Sequence, residues 1–325
     1  MKLGLMSSCF SNKTWEEACK LTKEAGLQAI ESPTGGLDGI YHCKPTEMVK
    51  DTDTVKTFKN AAEKNNLVIS AFSCKGNPVH PDQRIADEYI ADLEASMEIA
   101  QKIGVESISV FAGVPGAGPG AVYPNWIVHP WPFFFSNALK WQWEEKIIPF
   151  WIKMAKKAKK MNIKFGFEME PGDSVYNPET LLKLREAVGM EQIACNLDPG
   201  HLFYQGIDIE VCIRRLGNMI VHVHIKDAII SKSVVDFTGI LDAKMFSEVQ
   251  TRAWNYATVG FGHDAQFWKN FVSTLRITGY DGVLSIENEN TNMSASEGLK
   301  ISVDFLKQCV LFEPAGKQWW DEFLH

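Results

Sequence analysis

Two kinds of segment alternate along this chain. Eight short apolar runs, at 3–6, 27–31, 67–72, 107–111, 164–169, 193–197, 220–225 and 283–286, read as strands. Between them lie eight amphipathic stretches, at 14–25, 55–65, 82–103, 143–161, 178–188, 209–216, 265–278 and 294–310, which read as helices. Strands apolar throughout and separated by helices predict a parallel sheet covered by helices, since each crossover lays a helix on the sheet face. Eight such units predict an α/β chain folded as a (β/α)8 TIM barrel, one domain over 1–325. A doubly wound open sheet is the competing architecture. The first run is not followed by GxGxxG, so no dinucleotide cofactor is expected. Runs five to eight end at or next to Glu168, Asp198, His224 and Glu287. In a barrel, the carboxyl ends of all strands meet at one mouth.

Composition narrows the partners. The net charge is −7 and no dense Lys/Arg block occurs. Binding to nucleic acid or to an anionic membrane needs a basic face, so neither is expected. No apolar stretch approaches the length of a membrane span, and the N-terminus lacks the long apolar run of a signal peptide. The seven cysteines are scattered, without a CxxC pair. They read as reduced residues of a cytoplasmic protein.

Two connections exceed the usual length, 112–138 after the fourth strand and 228–264 after the seventh. Both leave the mouth, where long loops are lids or binding loops. The tail 312–325 carries Trp319 and Trp320 and is expected to dock on the barrel or on a partner. Five of the ten tryptophans, Trp126, Trp131, Trp141, Trp143 and Trp151, fall within 26 residues. Trp143, Phe150 and Trp151 fit helical spacing. Trp126 and Trp131 in the loop do not, and are expected to stack on a sugar face or an aryl group, or to sit at a subunit contact.

Glu168, Asp198, His224 and Glu287 form the main constellation. Three carboxylates crowded at one mouth repel each other and raise their own pKa values, and a dication removes that conflict. Three carboxylates and one imidazole suit a divalent ion of intermediate hardness: Mn²⁺ is the first choice, with Mg²⁺, Co²⁺ and Zn²⁺ as alternatives. Glu168 and Glu170 both compete for the ligand role, because residues two apart share a strand face. His201 follows Asp198 in the sequence Asp-Pro-Gly-His and could contact substrate oxygens or shuttle a proton. Lys226 could bind an anionic or hydroxylated group, and Asp227 could orient His224. His263, in the glycine-flanked turn GFGHD, could approach the ion or the substrate. His129, between prolines and aromatics in NWIVHPWPFFF, is a candidate general base in an apolar wall.

The segments FEMEPGDSVYNPETLLKLREAVG, NLDPGHLFYQGID, HVHIKD, VGFGHDAQFW and GYDGVLSIENEN resemble the sugar phosphate isomerase/epimerase family of xylose-isomerase-like barrels. The resemblance covers about 141–311. It implies one divalent ion held by Glu168, Asp198, His224 and Glu287. It selects Glu168 over Glu170 through an E-x-H-P pattern in which Glu170 stands where the family has histidine, and it assigns the ion to His224 rather than His222. It also implies that Glu168 and Glu287 flank the substrate and double as acid and base.

The expected activity is proton removal alpha to a carbonyl of a sugar or sugar derivative, through an ion-stabilised enediolate, as in an isomerase or epimerase. The same intermediate can expel a beta substituent. The wider family includes the large (alpha) subunit of bacterial C-deglycosylases, lyases that cleave aryl 3-oxo-C-glucosides with a small partner subunit. The aromatic loop and the tail would suit an aryl group and a partner, whether a second copy or a small subunit. A sugar-binding barrel without catalysis and an abasic-site endonuclease are further alternatives, the latter opposed by the negative charge.

Overall fold

The structure, a computed structural model, describes residues 1–317 together with 319 and 320. Eight parallel strands close a barrel: β1 (Lys2–Met6), β2 (Ala29–Gly36), β3 (Val68–Lys75), β4 (Ser107–Val110), β5 (Lys164–Glu168), β6 (Ile193–Leu197) and β7 (Ile220–Ile225), then, after an inserted hairpin of β8 (Asp227–Ile230) and β9 (Trp254–Ala257), β10 (Val283–Ile286). Each barrel strand pairs with the next along the chain, and β1 closes the ring on β10 from Lys2↔Val283 to Leu5↔Ile286. The expected TIM barrel is therefore the fold.

The helices are α1 (Trp15–Glu24), α2 (Pro45–Met48), α3 (Thr52–Lys64), α4 (Gln83–Ile103), α5 (Phe133–Trp141), α6 (Ile148–Lys160), α7 (Pro178–Val188), α8 (Gly200–Phe203), α9 (Ile209–Leu216), α10 (Lys232–Thr238), α11 (Ala265–Ile277) and α12 (Ala295–Leu306). Side-chain caps fix several starts: Thr14 with Glu17 before α1, Asn177 with Thr180 before α7, Asp264 before α11 and Ser294 before α12. Each oxygen satisfies an amide that the first helical turn leaves unpaired. The barrel strands bury side chains on both faces, as the unbroken apolar runs require. Trp151 of α6 is fully buried, packs edge-on against Phe165 and Phe167, and donates its indole N–H to Ala112 O at 3.0 Å.

The structure departs from the sequence expectation in three places. The helix expected at 143–161 begins ten residues earlier, as α5, and passes through a π-helical turn at Gln142–Ile147 into α6. Pro149 lies at the start of α6 and offers no N–H to the preceding turn, which widens around it. Gln142 on that turn uses Nε2 to bind the carbonyls of Pro115, Gly116 and Asn125, so it holds the first long loop. The second long loop is not irregular: it forms the β8–β9 hairpin and α10, packed around Tyr204, Trp254 and Tyr256. Last, β2 and β3 outrun their expected ends at 31 and 72, and pair as far as Gly36↔Lys75. Gly36 has φ +67, and a Cβ there would lie 1.8 Å from Lys75 O, so only glycine allows this approach.

In the tail, Trp319 and Trp320 pack edge to face at 5.5 Å and are exposed; 318 and 321–325 lie outside the described residues. Among the described residues, no helix is long and apolar enough to cross a membrane.

Candidate metal centre

Closure of the barrel brings the ends of β5, β6, β7 and β10 together. Glu168, Asp198, His224 and Glu287 each present one ligand atom, all within 4.8 Å of one another, and all four are buried. His224 Nδ1 lies 2.9 Å from Glu168 Oε2 and 3.1 Å from Glu287 Oε2. Asp198 Oδ2 is buried and, among the described residues, accepts no well-directed hydrogen bond, although Lys226 Nζ stands 2.9 Å away. A proton on Nδ1 satisfies one acceptor well, whereas Glu168 and Glu287 both face it and Asp198 lies in the same cluster. A divalent cation would satisfy them together, with one nitrogen and three oxygens as donors, so these residues fit such an ion.

His224 is oriented from behind by Glu31 at the barrel's centre. The carboxylate of Glu31 accepts from His224 Nε2 at 3.0 and 3.1 Å, from His222 Nε2 at 2.9 Å and from Ser285 Oγ at 2.8 Å. Burial opposes its charge, but His224 and His222 overcome it and hold the carboxyl well below the usual range. A carboxylate receiving Nε2–H leaves Nδ1 to face the ligand cluster, the arrangement that prepares an imidazole for a metal.

Two lysines flank the cluster. Lys226 Nζ reaches Asp198 Oδ2, Glu287 Oε2 and Glu289 Oε2 at 2.9, 2.9 and 3.0 Å. Lys75 Nζ, on the other side, lies 2.8 Å from Glu168 Oε1. Burial works against both ammonium groups, but the carboxylates around them raise both pKa values. Glu168 and Glu287 are correspondingly held as carboxylates: burial pushes each up, and the lysines and His224 push each further down.

His201, from α8, closes the cluster on the cavity side. Its Nε2 lies 3.2 Å from Glu168 Oε1 and 3.3 Å from Asp198 Oδ2, and its Nδ1 lies 2.8 Å from Tyr256 OH. Burial and Lys226 lower its pKa, but Glu170 and Asp198 outweigh them and raise it to about 10. The cluster opens into a cavity of about 390 Å³ whose wall includes Lys75, Glu168, Glu170, His201, Lys226, Tyr256 and Glu287. That volume admits a small hydroxylated molecule.

Residues 19–309 match the family model described as xylose isomerase-like TIM barrel. The chain belongs to that family. It is 36% identical to YfiH, an uncharacterized protein of Bacillus subtilis, over 95% of this chain and 99% of that one. An inosose dehydratase of Clostridium tetani is 33% identical over 42% of this chain and 44% of its own length. Among solved structures, the 3-keto-D-glucoside 4-epimerase YcjR of E. coli superposes with a TM-score of 0.65 at 12% identity, covering 95% of this chain and all of that one. The last comparison speaks to the fold alone.

Other sequence candidates of this xylose isomerase-like barrel lie elsewhere. His263 is not part of the cavity wall: Nδ1 lies 2.7 Å from Asp227 Oδ1 and the ring stacks on Phe203 at 3.9 Å. Asp227 does not orient His224. It accepts the backbone N–H groups of Gly260, Gly262 and His263 and thereby pins the loop that leads into α11. A Cβ on Gly262 would lie 2.4 Å from Asp227 Oδ1. His129 does not meet the carboxylates. Its ring is exposed, with Nδ1 2.8 Å from Trp131 O, because the proline-rich segment turns outward at this point. Trp131 is 65% exposed beside Phe133 and is no part of the wall. Trp126 lines a second cavity, of about 450 Å³, that shares Leu37, Phe111 and Glu170 with the first.

Glu31, Lys75, Glu289 and Tyr256 are among the contributors that escaped the sequence reading. Glu31 ends the second expected strand, so the strand-end rule applied to runs five to eight would have found it. Lys75 lies three residues beyond the expected end of the third. Tyr256 arrives on β9, within a loop whose strands are four residues each and leave little periodicity to read.

Proposed function

We propose that this protein is a divalent-metal-dependent enzyme that acts on a sugar or cyclic polyol ketone. It removes a proton from the carbon beside the carbonyl, in an isomerase or epimerase type of reaction. The observation that carries this reading is the buried His224 Nδ1 facing oxygens of Glu168 and Glu287 at 2.9 and 3.1 Å, two carboxylates that line a cavity. Glu168, Asp198, His224 and Glu287 would hold the ion. When bound, a divalent ion supplies positive charge to the carbonyl and neighbouring hydroxyl oxygens, favouring the charge left by proton removal. Mn²⁺ suits the mixed nitrogen and carboxylate donor set.

The protein's own residues divide the remaining work. Both oxygens of Glu168 are engaged, Oε1 by Lys75 and His201 and Oε2 by Asn196 and His224. Among the described residues, Glu287 Oε1 has only Lys75, at 3.6 Å. A carboxylate oxygen without short hydrogen bonds is the stronger base, so Glu287 takes the substrate proton and Glu168 stays in position. Lys226 bonds Glu287 through its other oxygen and so fixes the direction of Oε1. Return of the proton to the neighbouring carbon gives an isomer, and its return to the opposite face an epimer.

His201 and Tyr256 favour a second outcome, elimination. A protonated imidazole on the cavity wall can give its proton to an oxygen leaving from the carbon beta to the carbonyl. The C–H proton passes to Glu287, the electron pair of that bond forms the C=C bond, the C–O bond breaks, and the departing hydroxyl takes the His201 proton to leave as water. Similarity to an inosose dehydratase supports this version. A lyase of the C-deglycosylase type would expel carbon instead.

The test uses protein stripped by chelator and reloaded with Mn²⁺, mixed in D2O with ketohexoses and inososes. Deuterium entering the carbon beside the carbonyl, only in the reloaded protein, is the expected result, and loss of water by mass identifies the elimination. Binding without exchange across the panel would leave a sugar-binding barrel and refute the enzyme reading.

A further inference from the structure

Lys75 holds no role in the reaction described above, yet the end of β3 is shaped around it. Leu37 N–H donates to Lys75 O, and the glycine at 36 lets β2 run against that carbonyl. The residue is buried at 4% exposure, and its ammonium reaches the cavity wall. It differs from Lys226 in one respect. The Lys226 ammonium has three carboxylate oxygens within 3.0 Å and hydrogen-bonds two of them, on Glu287 and Glu289. Lys75 Nζ has Glu168 Oε1 at 2.8 Å, but its next acceptors, Glu287 Oε1 and Asp38 Oδ1, stand at 3.6 and 3.7 Å, beyond hydrogen-bond distance. An ammonium removed from bulk water with unfilled donors is costly unless something supplies the missing acceptors.

The direction of those donors is informative. Glu168 and Glu287 turn their Oε2 atoms toward His224 Nδ1 and their Oε1 atoms toward Lys75. Lys75 therefore stands on the cavity side of the ligand cluster, beside the carboxylate oxygen assigned above as the base.

We propose that Lys75 is a catalytic residue of this site, donating a hydrogen bond from its ammonium to the substrate oxygen that gains negative charge as the proton leaves. The proposal rests on the proton-abstraction reading and adds a residue to it. The C–H proton goes to Glu287 Oε1, the electron pair moves onto the carbonyl oxygen, and Lys75 keeps its proton while sharing the charge. Its position beside Oε1 puts one group on the carbonyl oxygen and the other on the adjacent C–H, which suits an alpha-hydroxy ketone. An ammonium held in place before the reaction stabilises the developing charge without reorganising.

The experiment compares wild type with Lys75→Met and Lys75→Gln, each loaded with Mn²⁺, on whichever ketohexose or inosose the wild type exchanges in D2O. The expected result is a fall in kcat of about 100- to 1,000-fold, with KM and Mn²⁺ affinity changed by no more than about threefold. Exchange by both folded, Mn²⁺-holding variants within about threefold of wild type would overturn the role of Lys75 while leaving the reaction in place. Loss of fold or of Mn²⁺ binding in both variants would make Lys75 a support of Glu168 and overturn the proposal equally. If wild type itself exchanges nothing, proton abstraction fails first and takes the role of Lys75 with it.

Discussion

Replacing Glu31 by glutamine tests whether the buried carboxylate behind His224 prepares the centre. The change keeps shape and removes charge. In the native protein the two oxygens of Glu31 take hydrogens from three donors, His222, His224 and Ser285. The introduced amide would offer one carbonyl oxygen with two lone pairs, and its own hydrogens would point at a donor. At least one donor is then orphaned in a dry interior, which costs about 1–3 kcal/mol of stability. His224 also loses the charged acceptor that keeps Nδ1 facing the ligand cluster. Loss of such a partner weakens metal binding by roughly 10- to 100-fold, or about 1.4–2.8 kcal/mol. Mn²⁺ titration by calorimetry, alongside thermal unfolding of the metal-free protein, measures both effects. Mn²⁺ affinity within about threefold of wild type would refute the orienting role, whatever happens to stability.

Glu287→Gln should abolish deuterium exchange while the protein stays folded; near-normal turnover would remove Glu287 as the base. Burial lowers the His224 pKa, but Glu31, Glu287 and Glu168 overcome it and raise it well above the ordinary value of 6.5. Its contribution to metal-free stability is therefore complete below pH 6.5 and is lost as pH rises through the raised value. Because Mn²⁺ must displace the Nδ1 proton, its affinity should climb by about tenfold per pH unit across the neutral range. Calorimetry in buffers of different ionisation enthalpy would detect the released proton, and a flat profile would contradict the assignment of Nδ1. His129→Ala should leave turnover and Mn²⁺ affinity unchanged, since the imidazole is exposed and bonded within its own loop. A large fall in kcat there would show that the loop folds over the cavity during the reaction.

The eight strands were legible because each is a short, largely apolar run, and burial on both faces leaves few polar positions, such as Asn196, His222 and Ser285, to blur the pattern. Glu168, Asp198, His224 and Glu287 were legible for a related reason: a polar residue at or next to the end of such a run stands at the barrel mouth whatever the detailed packing. The aromatic concentration was legible only in part. Trp143 and Trp151 are core, as their spacing implied, but Trp131 is exposed and Trp126 faces the neighbouring cavity. Composition counts aromatic rings and says nothing of where a loop without periodicity carries them.

Glu31 and Lys75 mark the boundary most sharply. The sequence determined that four ligand-type side chains close successive strands, because that follows from chain order and side-chain alternation alone. What lies behind His224 and what fills the gap between Glu168 and Glu287 were decided by the tertiary structure. Both depend on β2 and β3, whose pairing shifts register between Ile30 and Ser32 and again between Pro33 and Gly36. Each shift changes which side chains face the barrel axis. The second shift ends at Gly36, whose backbone is left-handed, and both belong to the pairing between strands, which one strand by itself does not show.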